Sequence, residues 1–295
     1  EYSAVCGKET VSSADDLPLA IQERGKTAFK TPDIVLAGYS KYANSTEPVY
    51  LNTYAHGTAR MLQELGYNAI LADPTFTKQV VDIYGSYGIA TICRVGAFLD
   101  SPTAIATLAS DEPKMEEINK LKEGYVELAK YGKKVGTCMI GEPMGVGEEN
   151  DPLNLWRALD PDLRVFRWYG IKKGYYGLLH GTAYKGLPSL STVMTLVEGS
   201  SPKEWWFIPP SFGVARPDLP DAARMKEQGY MVKADGYYTN PEPAEMKGLI
   251  YMAAAHGAKG IVSYTLQDEK SWVGLIHKKS LLPSDGKFAA AAEAA

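Results

Sequence analysis

Two adjacent carboxylates, Asp111 and Glu112, close an apolar run and stand directly before a proline in the stretch AIATLASDEP at residues 104–113. A carboxyl group in such a place can donate or accept a proton, and a second carboxylate within reach would widen what it can do. The run before the acids is rich in Ala, Ile, Thr and Leu and reads as a buried strand. Acids at the end of a buried strand point to a parallel sheet whose strand ends carry the chemistry. Other chemistries find less support. His56, His180, His256 and His277 show no metal-ligand spacing: His56 and His256 fall in helical stretches without a partner at the fourth residue on, and His180 lies in a loop. Gly199-Ser200-Ser201 lacks the nucleophile-elbow pattern. Cys6, Cys93 and Cys138 have neither metal nor redox spacing, and the last two sit inside strand-like runs as inert buried thiols. The expectation is therefore no metal and no cofactor.

The elements that must position Glu112 follow from periodicity. Apolar runs at residues 33–39, 67–73, 89–99, 104–113, 133–140, 163–169, 205–209 and 259–266 read as eight strands. Between them, helical spacing of apolar residues marks 49–65, 76–87, 115–131, 190–197 and 242–256. Gly66 stands where a helix C-cap is expected. Strands alternating with helices along nearly the whole chain argue for parallel βαβ units. Eight of them argue for a closed barrel, the (β/α)8 or TIM barrel, over an open doubly wound sheet. The open sheet would carry a Gly-rich phosphate loop after the first strand, and none follows Tyr39.

The predicted organisation is a leader or edge segment at 1–31, one barrel at 32–288, and an Ala-rich tail at 289–295. A chain of 295 residues suits one such barrel of roughly 250 residues. Long connections after strands five (141–161) and seven (211–243) should wall the strand C-terminal face, where barrels build their clefts. The formal charge is −4 with scattered basic residues, which excludes a nucleic-acid footprint. No apolar stretch reaches the roughly 18 residues that span a bilayer. The chain opens on Glu1 without methionine or a signal-peptide pattern, so a mature or trimmed product in an extracellular or cell-surface setting is expected. The cysteines leave the compartment undecided, and the sequence does not reveal the oligomeric state.

Ser110-Asp111-Glu112-Pro113 at the end of strand four resembles the clan of (β/α)8 glycoside hydrolases that includes many β-galactosidases and cellulases. In that clan strand four typically ends in Asn-Glu-Pro or Asp-Glu-Pro, and the Glu is the acid/base. WWFIPPSFG at 205–213 is similar to the seventh strand of such proteins. Residues 243–265, ending AAAHGAKGIVSYT, are similar to their last helix and eighth strand. The resemblance spans residues 33 to 270 and implies a carbohydrate ligand. It assigns Glu112 as general acid/base and puts Asp111 where an Asn often contacts a sugar hydroxyl. A glycosidic oxygen leaves poorly unless protonated, so the chemistry needs a carboxylic acid beside it. Along a regular strand, however, Asp111 and Glu112 should point to opposite faces.

The sequence departs from the clan at strand seven. A retaining enzyme needs a second carboxylate about 5 Å from the first, and an inverting one needs a gap of about 6.5 to 9.5 Å. Residues 208–213 read IPPSFG, with no acid. Glu142 after strand five is the first choice for the partner; Asp268 and Glu269 after strand eight and Asp73 after strand two are the other candidates. Tyr39, Trp168, Tyr169, Tyr264 and Trp272, near strand ends, are candidates for a sugar-stacking platform, whereas Trp205 and Trp206 begin their strand and read as packing. Two readings stand. One is a glycoside hydrolase-like enzyme using Glu112. The other is a catalytically inactive barrel (a pseudoenzyme) with a carbohydrate-binding or structural role in a larger assembly. A different barrel enzyme using Glu112 as a base is a weaker third.

Overall fold

A computed structural model describes residues 4–6, 9–11, 29, 31–40, 55–72, 76–141, 144–145, 147, 151–169, 188–214, 241–266 and 272–274. Eight strands form one closed, wholly parallel barrel in chain order. They are β1 (Val35–Ser40), β2 (Ala69–Ala72), β3 (Ala90–Arg94), β4 (Ala104–Asp111), β5 (Lys134–Ile140), β6 (Leu163–Arg167), β7 (Glu204–Ile208) and β8 (Gly260–Ser263). β8 closes the ring by pairing with β1 (Ser263 opposite Gly38) and with β7 (Gly260 opposite Trp206). Six helices are described: α1 (His56–Glu64), α2 (Lys78–Ser86), α3 (Ile118–Ala129), α4 (Pro152–Leu159), α5 (Leu190–Ser200) and α6 (Pro243–Ala255). This is the (β/α)8 architecture that the alternation predicts. Outside the barrel, Ala4–Cys6 pairs antiparallel with Glu9–Val11, and Gly213–Val214 with Trp272–Val273.

Helix starts follow from local chemistry. The Thr77 and Ser189 hydroxyls accept from the amides of Val80 and Thr192, and Pro243 opens α6 where its missing N–H costs nothing. Two connections differ from the sequence expectation. β3 ends at Arg94 rather than continuing to residue 99: residues 95–100 form turns, and the crossover to β4 carries no helix. Leu99 covers Cys93 and Ala104 there in place of a helix face. The connection after β5 is not all loop, because α4 lies within it, started by Asp151 and Pro152 and burying Leu153, Leu155, Trp156 and Leu159.

The core has two shells. Between strands and helices lie Ile70, Tyr84, Trp156, Phe166, Phe207 and Leu249. Inside the barrel, small residues at Ala37, Ala69, Ala90 and Ala106 share the space with Leu163, Val165 and Trp206. Trp206 fills the lower end, and its indole N–H donates to a Glu204 carboxylate oxygen at 2.7 Å. Trp205, its neighbour, faces the helices, so the pair divides between the two shells as alternation along a strand requires.

Candidate active site

At the upper end, where the strands run out, the barrel opens into a cavity of about 540 Å³. Successive strands supply its walls: Tyr39 of β1, Leu71 of β2, Arg94 of β3, Leu108 of β4, Cys138 of β5 and Arg167 of β6. Asp111 and Glu112 both reach it. This corrects the expectation that neighbouring side chains on one strand must diverge. Glu112 leaves the extended conformation with φ +54, and a left-handed residue ends the alternation. Its amide still donates to the Cys138 carbonyl at 2.8 Å, tying the turn to β5. A non-glycine residue with positive φ costs on the order of 1–3 kcal/mol, and such residues concentrate at functional sites.

Each acid has an arginine. Arg94 meets an Asp111 carboxylate oxygen at 3.1 Å and approaches the Tyr39 hydroxyl at 3.4 Å. Arg167 is ion-paired with Glu112, and its guanidinium carbon lies 4.7 Å from the centroid of the Tyr169 ring. The Arg167 and Glu112 side chains are 24% and 31% exposed, so this pair is open to a ligand from the cavity. Neither arginine stood out in the sequence. A signal was available, since each is a basic residue at the C-terminal end of a mainly apolar strand, ATICR and LRVFR.

Three of the predicted aromatics gather at this site. Tyr264 stacks on Tyr39 with centroids 5.0 Å apart and on Tyr169 at 5.9 Å, while the Phe212 ring stands edge-on to both Tyr169 and Tyr264. Tyr39 and Tyr169 are only 2% and 6% exposed, so they act as cavity wall, and Tyr264 is the partly open ring. Burial raises the Tyr169 phenol well above its usual range, which keeps it a neutral hydrogen-bonding group. Burial, and next Asp111 beside it, do the same to the Cys138 thiol. Trp168 does not belong to the platform. It is 1% exposed and packs in the outer shell against the helices, because it falls one residue out of phase with the inward Arg167 and Tyr169. Trp272 lies in a short strand whose backbone alone is described.

The proposed partner acids Glu142, Asp73, Asp268 and Glu269 lie outside the described residues, as does His180. On the β7 side the cavity is lined by Ile208 and Phe212. Among the described residues, no group of three or more His, Cys, Asp or Glu is placed to hold a metal ion, and no helix is long and apolar enough to cross a membrane. His256 follows α6, and its Nδ1 meets a Glu198 carboxylate oxygen at 2.9 Å.

No family model and no curated protein matches the sequence. Solved structures do match the fold. A β-glucuronidase from Lactobacillus rhamnosus is similar with a TM-score of 0.54 and 11% identity, over 88% of this chain and 49% of that one. The GH5_18 protein from Streptomyces cattleya in complex with GlcNAc is similar at 0.53 and 9%, over 90% and 80%. The catalytic domain of a β-amylase from Paenibacillus polymyxa gives 0.54 and 8%, over 88% and 97%. The chain spans about half the length of the β-glucuronidase it matches. At these identities the likeness is one of fold: the barrel is the kind these glycoside hydrolases use.

Proposed function

We propose that the upper end of the barrel is a carbohydrate site of the glycoside hydrolase kind, with Glu112 as general acid/base. The observation that carries this reading is the left-handed turn at Glu112, which brings its carboxyl group, with that of Asp111, into a cavity walled by tyrosines. A cavity of this size falls within the usual range for small-molecule sites. Glu112 donates its proton to the glycosidic oxygen as the bond to the anomeric carbon breaks, then takes one back from the attacking water. Asp111, braced by Arg94, accepts a hydrogen bond from a ring hydroxyl, and Tyr264 lies against an apolar sugar face. Glu142 is the first choice for the second carboxylate, since β5 neighbours β4; Asp268, Glu269 and Asp73 are the other candidates.

A second reading, a barrel that binds carbohydrate without turning it over, is favoured by one observation. The β7 rim offers Ile208 and Phe212 to the cavity where a retaining enzyme keeps its nucleophile. A panel of aryl glycosides, assayed with the wild-type protein and with Glu112→Gln, separates the two. The enzyme reading expects turnover of at least one glycoside and a loss of about 100- to 10,000-fold on substitution. Activity that survives Glu112→Gln unchanged removes Glu112 from the mechanism. Saturable binding with no turnover by the wild type establishes the second reading.

A further inference from the structure

We infer that the sugar taken by this site carries a carboxylate, which replaces Glu112 as the partner of Arg167. The inference rests on Glu112 acting as a general acid. The cavity holds two guanidinium groups and two carboxylates, and their charges cancel in the pairs Arg94–Asp111 and Arg167–Glu112. A proton donor must be neutral, and a guanidinium at its side favours the opposite, charged form. Protonating Glu112 in place would leave Arg167 facing a neutral group. Asp111 is already engaged by Arg94, and no third carboxylate occurs among the described residues lining the cavity. The pair is only partly exposed, so neutralising one member leaves the other charge without its partner in the cavity wall.

A carboxylate on the ligand resolves this conflict. Its two oxygens match the planar guanidinium fork, which a neutral hydroxymethyl group cannot do. The Tyr169 ring under Arg167 supports the guanidinium from a face that the exchange does not disturb. The balance is simple: the ligand arrives as an anion, its carboxylate displaces that of Glu112 from Arg167, and Glu112 takes one proton from solvent. Among the described residues and the ligand, the charges cancel before and after. The substrate class is therefore a uronic-acid glycoside, and binding arms the acid that cleaves it.

Calorimetric titration with matched methyl glycosides tests this: glucuronide against glucoside and galacturonide against galactoside, each pair differing only at C6. At least one uronide should bind about tenfold or more tighter than its neutral twin, the size expected for one charge-assisted pair. Repeating the titration in buffers of different ionisation enthalpy should report uptake of about one proton per ligand. Glu112→Gln should abolish that uptake while keeping or tightening uronide affinity, because it removes the competing carboxylate. Arg167→Gln should erase the preference. Arg167→Lys, which keeps the charge and loses the fork, should erase most of it and serves if the first variant does not fold. A neutral twin that binds as well as the uronide, or a preference that survives both Arg167 variants, overturns the inference. Neutral binding without preference would leave the carbohydrate reading standing. Binding of no sugar would overturn both.

Discussion

Glu112 is held at φ +54 immediately before a proline, a place where neither the side chain nor the following ring favours departure from extended backbone. That cost is met by the β4–β5 ladder, by its amide bond to Cys138 and by the ion pair to Arg167. Asp-Glu-Pro marked the spot in the sequence, but the divergence expected of adjacent side chains argued against both acids serving one site. A single dihedral angle reversed that. His56 is buried at the start of α1, with its ring edge-on to Tyr87 and Nδ1 3.2 Å from the Tyr87 hydroxyl. Burial lowers its pKa from the ordinary 6.5. The unfolded chain then binds the proton more readily, so stability is full above 6.5 and falls as pH drops below it. Urea unfolding from about pH 7.5 down to about pH 5.5 should show this decline, with a shallower slope in His56→Gln. An equal slope in the two proteins would place the acid sensitivity elsewhere.

At the scale of elements, the strands were legible because buried strands of a parallel barrel are short apolar runs, and seven of the eight lie within a few residues of the expected bounds. The third ran five residues too far, since residues 95–99 remain apolar while the backbone turns; Phe98 and Leu99 there pack with Cys93 and Ala104, and Val95 is exposed. The opposite happened at α4, hidden by the polar Gly and Glu residues before it. Its signals were present in Asp151, Pro152 and the spacing of Leu155, Trp156 and Leu159. The buried Asp151 carboxylate accepts from the Leu153 amide at 2.9 Å, which fixes the helix start, and from the Gly147 amide at 3.0 Å. Asp151→Ala should cost about 0.5–2 kcal/mol in chemical denaturation. Asp151→Asn, which keeps an acceptor, should retain most of the stability.

For the whole molecule, closure of the ring depends on how the lower end is filled. A Cβ at Gly260 would stand 2.5 Å from Trp206 Cγ, so the last strand passes the indole only because it carries no side chain there. Gly260→Ala should destabilise the barrel by about 1–3 kcal/mol as the packed interior is forced apart, read as a lower denaturation midpoint. The sequence by itself determined the strand–helix alternation, the number of strands and the position of Glu112 at a strand end, because these depend on local periodicity and on which runs are too apolar to stay in water. The tertiary structure alone decided the company Glu112 keeps. Arg94 and Arg167 lie 18 residues before it and 55 after it in the chain, and Tyr39 and Tyr264 come from opposite ends of the barrel sequence. Closure of the β8–β1 seam makes neighbours of Tyr39 and Tyr264, the parallel pairing of β3 through β6 brings up the two arginines, and the left-handed turn at Glu112 points its carboxyl group among them. Contacts of that kind leave no periodic trace along a chain.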